Sequence, residues 1–335
     1  MKMENPPFYL NPSRNPINIR ARESHYNQAS HPDIIEFTNG FKGALKETYK
    51  YIMVMTPYPH YDERYENPCI VVSNDLSYFV EDNILNPVEP YPGEDYHNSD
   101  PDIVYVNGSF HLFWRLRQTS NNKGWIFLKK SEDLVNWSDK RLCNILPAPL
   151  SPAVLYDIHE NIWKLWGVIE GDWHVAYYES EDGLNWTLVD HTTIPNYINW
   201  MGLKRNCWHL DVSKTLLSKS YLALIVYASG AGGDAPSYLF YGESDDGIDW
   251  KVYKHPVLSP IPKSWQSSKI YRSTFIVKDG QIQVWYSAAS SGTFLRRLNI
   301  RLFNRKIGCG KWGIGYSEAS IDFVSRKDIS LNVVR

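Results

Sequence analysis

Ser180-Glu-Asp-Gly-Leu-Asn-Trp186 returns 64 residues later as Ser244-Asp-Asp-Gly-Ile-Asp-Trp250. Ser131-Glu-Asp-Leu-Val-Asn-Trp137 is the same unit with Leu134 in the glycine's place, and Ser73–Phe79 and Ser317–Phe323 are weaker copies. In each copy an aromatic residue follows the serine by six positions. The chemistry is that of a hairpin. Asp bonds back to its own backbone, Gly accepts positive φ, and the aromatic packs from the returning strand.

A second repeat precedes each copy. It reads His31-Pro-Asp-Ile-Ile35, Asp100-Pro-Asp-Ile-Val104, Ser151-Pro-Ala-Val-Leu155, His209-Leu-Asp-Val-Ser213 and Arg272-Ser-Thr-Phe-Ile276. Each opens a short strand, followed in the clearest cases by an Asn107-Gly108 or Asp279-Gly280 turn and an aromatic-rich return strand. Two independent motifs thus agree on five units, and no helix-period segment competes with them. The fold expected is all-β: a five-bladed β-propeller with four-stranded antiparallel blades. The blades are expected at about 31–85, 99–142, 150–190, 207–254 and 271–326, forming a single propeller over 31–326. A polar strap over 1–30 precedes it and a C-terminal strand or tail over 327–335 follows. The last blade carries a basic insertion between Ser290 and Lys311, with Arg296, Arg297, Arg301, Arg305 and Lys306, read as a solvated loop or short helix.

Composition narrows the function. The 335 residues carry a net charge of −2, which disfavours a general nucleic-acid binder. No apolar run is long enough to span a membrane as a helix, and no signal peptide is evident at the N-terminus. A cytoplasmic or virion-associated location is expected, or an extracellular one if a signal has been trimmed. Cys69, Cys143, Cys207 and Cys309 lie far apart, without metal or redox spacing, and are read as free or buried thiols. Oligomeric state is left open.

Propeller topology decides which residues can meet. Strand openings and second-to-third strand loops share one face, while the Asp-Gly turns lie on the other. Two columns therefore approach the axis: His31, Asp100, Ser151, His209 and Arg272, and two residues on, Asp33, Asp102, Ala153, Asp211 and Thr274. One column is expected to face the funnel and the other to help start the strand. Loops on that face add Tyr58, Glu66, Asn67, Arg115, Arg117, Glu170, Asp172, Trp173 and Asp234. Such varied polar residues at equivalent repeat positions suggest a specialised pocket. His31, Asp100 and His209 are ligand types that suit a transition metal, but no local motif supports one, so no cofactor is expected.

The serine-to-tryptophan units and the Asp-Pro strand openings resemble the five-bladed propeller glycosidases of family 43 and the invertase-like family 32, over about residues 30–325. The resemblance implies a base or nucleophile Asp opening the first blade, a sugar-holding Asp in the second and a proton-donor Glu in the third. Asp100-Pro101 fits the second. The first blade has His31 with Asp33 two residues on, and the third, at Leu150-Ser151-Pro152, has no carboxylate. Glycoside cleavage needs a paired acid and base, so Asp33 or Asp100 is expected to work with Glu66 or Glu170. His31, Arg115, Trp173, His209 and Arg272 are expected to bind the sugar. The alternative is a non-catalytic carbohydrate binder such as a phage tail receptor-binding protein or adhesin. The segments Tyr49–Pro59 and Glu66–Ile70 look like those of uncharacterised propellers of bacteria and their phages.

Overall fold

The computed structural model describes residues 5–21, 27–215, 220–229, 235–291 and 310–321. The basic stretch from Arg296 to Lys306, Asp234, Cys309, Phe323 and the tail over 327–335 lie outside them. Five sheets, built almost wholly of antiparallel strands, form the five blades of a propeller. Blade 1 holds β1 (Asn18–Arg20), β2 (Ala29–Phe41), β3 (Tyr49–Pro57), β4 (Cys69–Ser73) and β5 (Tyr78–Val80). Blade 2 holds β6 (Tyr96–Val106), β7 (Ser109–Gln118), β8 (Gly124–Ser131) and β9 (Arg141–Leu142). Blade 3 holds β10 (Leu150–Asp157), β11 (Ile162–Val168), β12 (Val175–Ser180) and β13 (Thr187–His191). Blade 4 holds β14 (Tyr197–Trp200), β15 (Leu203–Lys214), β16 (Tyr221–Ala228), β17 (Ser237–Ser244) and β18 (Trp250–Val252). Blade 5 holds β19 (Lys269–Lys278), β20 (Gln281–Ala289) and β21 (Trp312–Ser320). The innermost strands β2, β6, β10, β15 and β19 touch one another in turn, and β19 returns to β2, which closes the ring.

Four antiparallel strands describe blades 2 and 3, whereas blades 1 and 4 have five and blade 5 has three among the described residues. The N-terminal segment accounts for much of the difference. Its β1 pairs in parallel with β5, an arrangement a hairpin repeat does not produce, and the Ile17 N–H donates to the Ile314 carbonyl of blade 5 at 2.8 Å. Farther back, Phe8 and Leu10 pack into the core between blades 4 and 5. Ile17 and Ile19 pack into the core between blades 5 and 1. The segment thus fastens the end of the ring to its beginning.

Each blade is covered on both faces by its neighbours, which explains why central strands are continuously apolar. All of Tyr221-Leu-Ala-Leu-Ile-Val-Tyr-Ala228 is buried. The serine motif satisfies its own backbone at the outer edge. Ser180 Oγ accepts from the Gly183 N–H at 3.0 Å, Asp182 Oδ1 accepts from Leu184 and Asn185 N–H at 2.8 Å, and Trp186 Nε1 donates to the Gly183 carbonyl at 3.1 Å. The copies at Ser131 and Ser244 repeat these bonds. Adjacent blades use the same turns: Trp166 Nε1 donates to the Gly247 carbonyl at 2.7 Å, and Trp285 Nε1 to the Leu76 carbonyl at 3.2 Å.

Removing the Asp182 carboxylate leaves two turn N–H groups without their acceptor, so Asp182→Ala should cost about 1 kcal/mol, as a lost helix cap does. Urea unfolding checks this; an unchanged midpoint would mean water replaces the carboxylate freely. His111 offers a second test. Burial, with Lys130 adding to it, lowers its pKa from 6.5 to about 4 despite the hydrogen bond with the Ser109 carbonyl. The unfolded chain therefore binds that proton first. Stability is full above about pH 6.5 and declines as pH falls towards 4, by up to about 3 kcal/mol from this residue. Urea midpoints measured across that range should fall less steeply in His111→Phe than in the parent.

Candidate functional site

All five inner strands carry a register shift at the same place. The shifts lie between Ser30 and Asp33, Ser99 and Asp102, Leu150 and Ala153, Cys207 and His209, and Ile270 and Ser273. In blades 1 to 3 the bulge holds a proline, which has no N–H to leave unpaired, and the residue before it is left-handed. His31 and Asp100 have φ of 50° and Ser151 of 53°. The bulges aim both repeat columns at the axis, in two tiers. The expected division of labour, one column to the funnel and one to strand initiation, is therefore replaced by two layers of one axial cluster.

The upper tier joins His31, Asp100 and His209, all buried. Asp100 Oδ1 lies 3.5 Å from His31 Nε2, 3.3 Å from His209 Nδ1 and 3.8 Å from an Arg272 nitrogen. The lower tier joins Asp33, Asp102 and Asp211. Here Asp33 accepts from the Ile103 N–H at 2.7 Å and from Thr274 Oγ1 at 2.9 Å, tying blade 1 to blades 2 and 5. Arg272 spans the tiers, donating to Asp102 Oδ2 at 3.2 Å and to the Pro152 carbonyl at 2.9 Å.

Electrostatics set the protonation of the upper tier. Burial lowers the His31 pKa from 6.5 to about 3, overriding the opposing pull of Asp100. Burial likewise lowers that of His209 against the pull of the nearby Asp100 carboxylate. Asp100 itself stays ionised despite burial, held well below the usual carboxylate range with Arg272 the fixed positive charge beside it. The site thus presents two neutral imidazoles and one carboxylate.

These residues fit a divalent cation. The three offer ligand atoms within 4.8 Å of one another. His31 Nδ1 has Thr56 Oγ1 at 2.9 Å and Glu66 Oε1 at 3.2 Å, acceptors that place the ring proton on Nδ1. His31 Nε2 then turns a lone pair towards Asp100 Oδ1, a repulsive pairing that a cation between them converts to attraction. Asp100 Oδ1 and both ring nitrogens of His209 are buried without a hydrogen-bond partner. Neutral imidazole and carboxylate are the donor types that zinc and related transition metals prefer.

Of the residues expected from sequence, His31, Asp100, His209, Arg272 and Glu66 come together at the axis. Asp33 sits one tier lower. Glu170 does not reach the cluster; its carboxylate pairs with Arg115 and Arg117, linking blades 2 and 3. Trp173 stands at the rim, stacked on Trp208 at 4.9 Å. Sequence reasoning missed Tyr271 and Trp208. The Tyr271 ring lies 4.2 Å from that of His209, and Trp208 Nε1 donates to the Tyr271 hydroxyl at 3.0 Å. Their signal was available: in blades 4 and 5 the residue ahead of the axial column is aromatic, against Ser30, Ser99 and Leu150 in the others.

The chain has the five-bladed fold of glycoside-hydrolase-like proteins. No known family profile matches it. It is 28% identical over 360 residues to the A type blood N-acetyl-alpha-D-galactosamine deacetylase of Flavonifractor plautii, a match covering 88% of this chain. The chain spans 45% of that relative's length. Among solved structures it is similar to an N-acetylgalactosamine deacetylase from F. plautii in complex with blood group B trisaccharide. That similarity has a TM-score of 0.73 and 26% identity, and covers 94% of this chain and 96% of the other. A structure from the GH130 family of mannoside phosphorylases and glycoside hydrolases matches with a TM-score of 0.59 and 12% identity, covering 94% and 96%. The GH43 protein BlXynB of Bacillus licheniformis gives 0.52 and 14%, covering 84% and 51%. These last two are likenesses of fold alone.

If the upper tier holds a cation, metal analysis after loading with zinc or manganese should find about one ion per chain, as one three-residue donor set requires. His209→Ala and Asp100→Asn should each lose it. Full retention in both variants would place the ion elsewhere.

Proposed function

We propose that the protein is a metal-dependent carbohydrate deacetylase, hydrolysing the N-acetyl group of an amino sugar held in the funnel. The observation that carries the reading is the buried His31, Asp100 and His209 donor set, whose facing lone pairs call for a cation. The similarity to the F. plautii deacetylase over most of the chain supports the substrate class. A cation bound there supplies Lewis acidity, polarising an amide carbonyl and making water more acidic.

The remaining roles follow from the residues around it. Glu66 is a buried carboxylate 3.2 Å from the His31 ring, on the side away from Asp100. It takes a proton as water adds to the amide carbon, and returns it to the nitrogen as the C–N bond breaks, leaving acetate and the free amine. Tyr271 accepts from Trp208, so its own O–H proton is available to the developing oxyanion. Desolvation, with the charges of Asp100 and Glu66, pushes its pKa well above 10 and keeps that proton in place. Arg272 and Thr56 orient Asp100 and His31.

Glycoside cleavage by Asp100 and Glu66 is the competing chemistry, and product analysis separates the two. Incubation with an N-acetylgalactosamine-terminated trisaccharide should yield acetate and an intact, deacetylated trisaccharide. Glu66→Gln and Tyr271→Phe should each lower kcat by about 100-fold. Release of a monosaccharide with its acetyl group in place would overturn the reading in favour of a glycosidase. Binding without any product would favour the non-catalytic binder.

A further inference from the structure

We infer that Trp173 and Trp208 form a platform for a second sugar ring, bonded to the one that reacts at the axis. The inference rests on the carbohydrate reading above and narrows the substrate to an oligosaccharide. Trp173 lies in the short loop between β11 and β12, where its N–H donates to the Ile169 carbonyl at 2.9 Å. Its φ is 61°, a left-handed conformation suited to Gly or Asn and costly for a bulky side chain. Strain of this kind clusters at functional positions.

The indole is placed with care. It lies nearly parallel to that of Trp208, at 4.9 Å and 26°, and both rings are half-buried. Trp208 bonds Tyr271, whose ring abuts His209. An unbroken aromatic path thus runs from the donor set to the rim between blades 3 and 4. The loop is anchored on both sides. Glu170 pairs with Arg115 and Arg117 of blade 2, and the Asp172 carbonyl accepts from Asn196 Nδ2 at 3.2 Å. Space for the first anchor is built in: a Cβ on Gly124 would meet Arg115 Nε at 2.8 Å. A partly exposed indole with Glu170 and Asn196 anchoring its loop suits the C–H face of a pyranose, whose hydroxyls stay in water.

The test compares free N-acetylgalactosamine with an N-acetylgalactosamine-terminated trisaccharide, following acetate release and quenching of tryptophan fluorescence. In Trp173→Gly and Trp173→Ala the ratio of kcat/KM for trisaccharide over monosaccharide should fall about tenfold, the scale of one lost ring stack. Trp173→Phe should lose less. The strain has its own readout: Trp173→Gly should unfold at higher urea than Trp173→Ala, reversing the usual order of those residues. An unchanged ratio, or a fall of equal size for both sugars, overturns the platform. If the parent protein releases acetate from neither sugar, the deacetylase reading fails alone. The platform is then judged by binding: trisaccharide affinity lost in Trp173→Gly supports it, and affinity unchanged or absent in the parent overturns it.

Discussion

Burying an ionised carboxylate costs several kcal/mol unless its charge is met, and the residues that meet Asp100 come from around the whole ring. His31 belongs to blade 1, Asp100 to blade 2, His209 to blade 4 and Arg272 to blade 5, while blade 3 holds Arg272 through the Pro152 carbonyl. No single blade or pair of blades can make this site. Its geometry depends on closure of the ring, and closure depends on the N-terminal segment that pairs with blade 1 while bonding to blade 5.

The two axial tiers divide the work. Below, Asp33 is spent on the Ile103 N–H and Thr274, and Asp102 on Arg272, so these carboxylates brace one blade against another. Above, the same repeat column has been varied to His, Asp, Ser, His and Arg, and buried polar atoms of Asp100 and His209 are left without partners. The tiers differ in donor type: the upper mixes imidazole with carboxylate, the set transition metals prefer, while the lower is all carboxylate.

The blade count was legible in sequence because the Ser-x-Asp-Gly unit satisfies its own backbone and so needs nothing distant to specify it. The axial residues His31, Asp100, His209 and Arg272 were legible once the repeats were aligned, since equivalent positions of a propeller must converge. What failed to show was pairing across blades. Glu170 has the right chemistry for a proton donor, and only the fold reveals that Arg115 and Arg117 occupy it. The parallel β1 was hidden because the N-terminal strand lies outside the repeat. Tyr271 and Trp208 were lost in a chain that is 14% aromatic, where no single ring stands out.

The distribution of strained backbone completes the argument for polarity between the two faces. On the face of the hairpin turns, left-handed positions are mostly taken by Asn107, Asn161, Asp279, Gly183 and Gly247, residues for which that conformation costs little; Leu134 is the exception. On the funnel face Asn122 and Gly171 take such positions, but so do His31, Asp100, Ser151, Tyr61 and Trp173. Sequence variation could have placed asparagine or glycine at these positions too, and the turns opposite show that the fold accepts them. Keeping an indole at Trp173 accepts a stability cost, and that cost is understandable if the side chain meets a ligand.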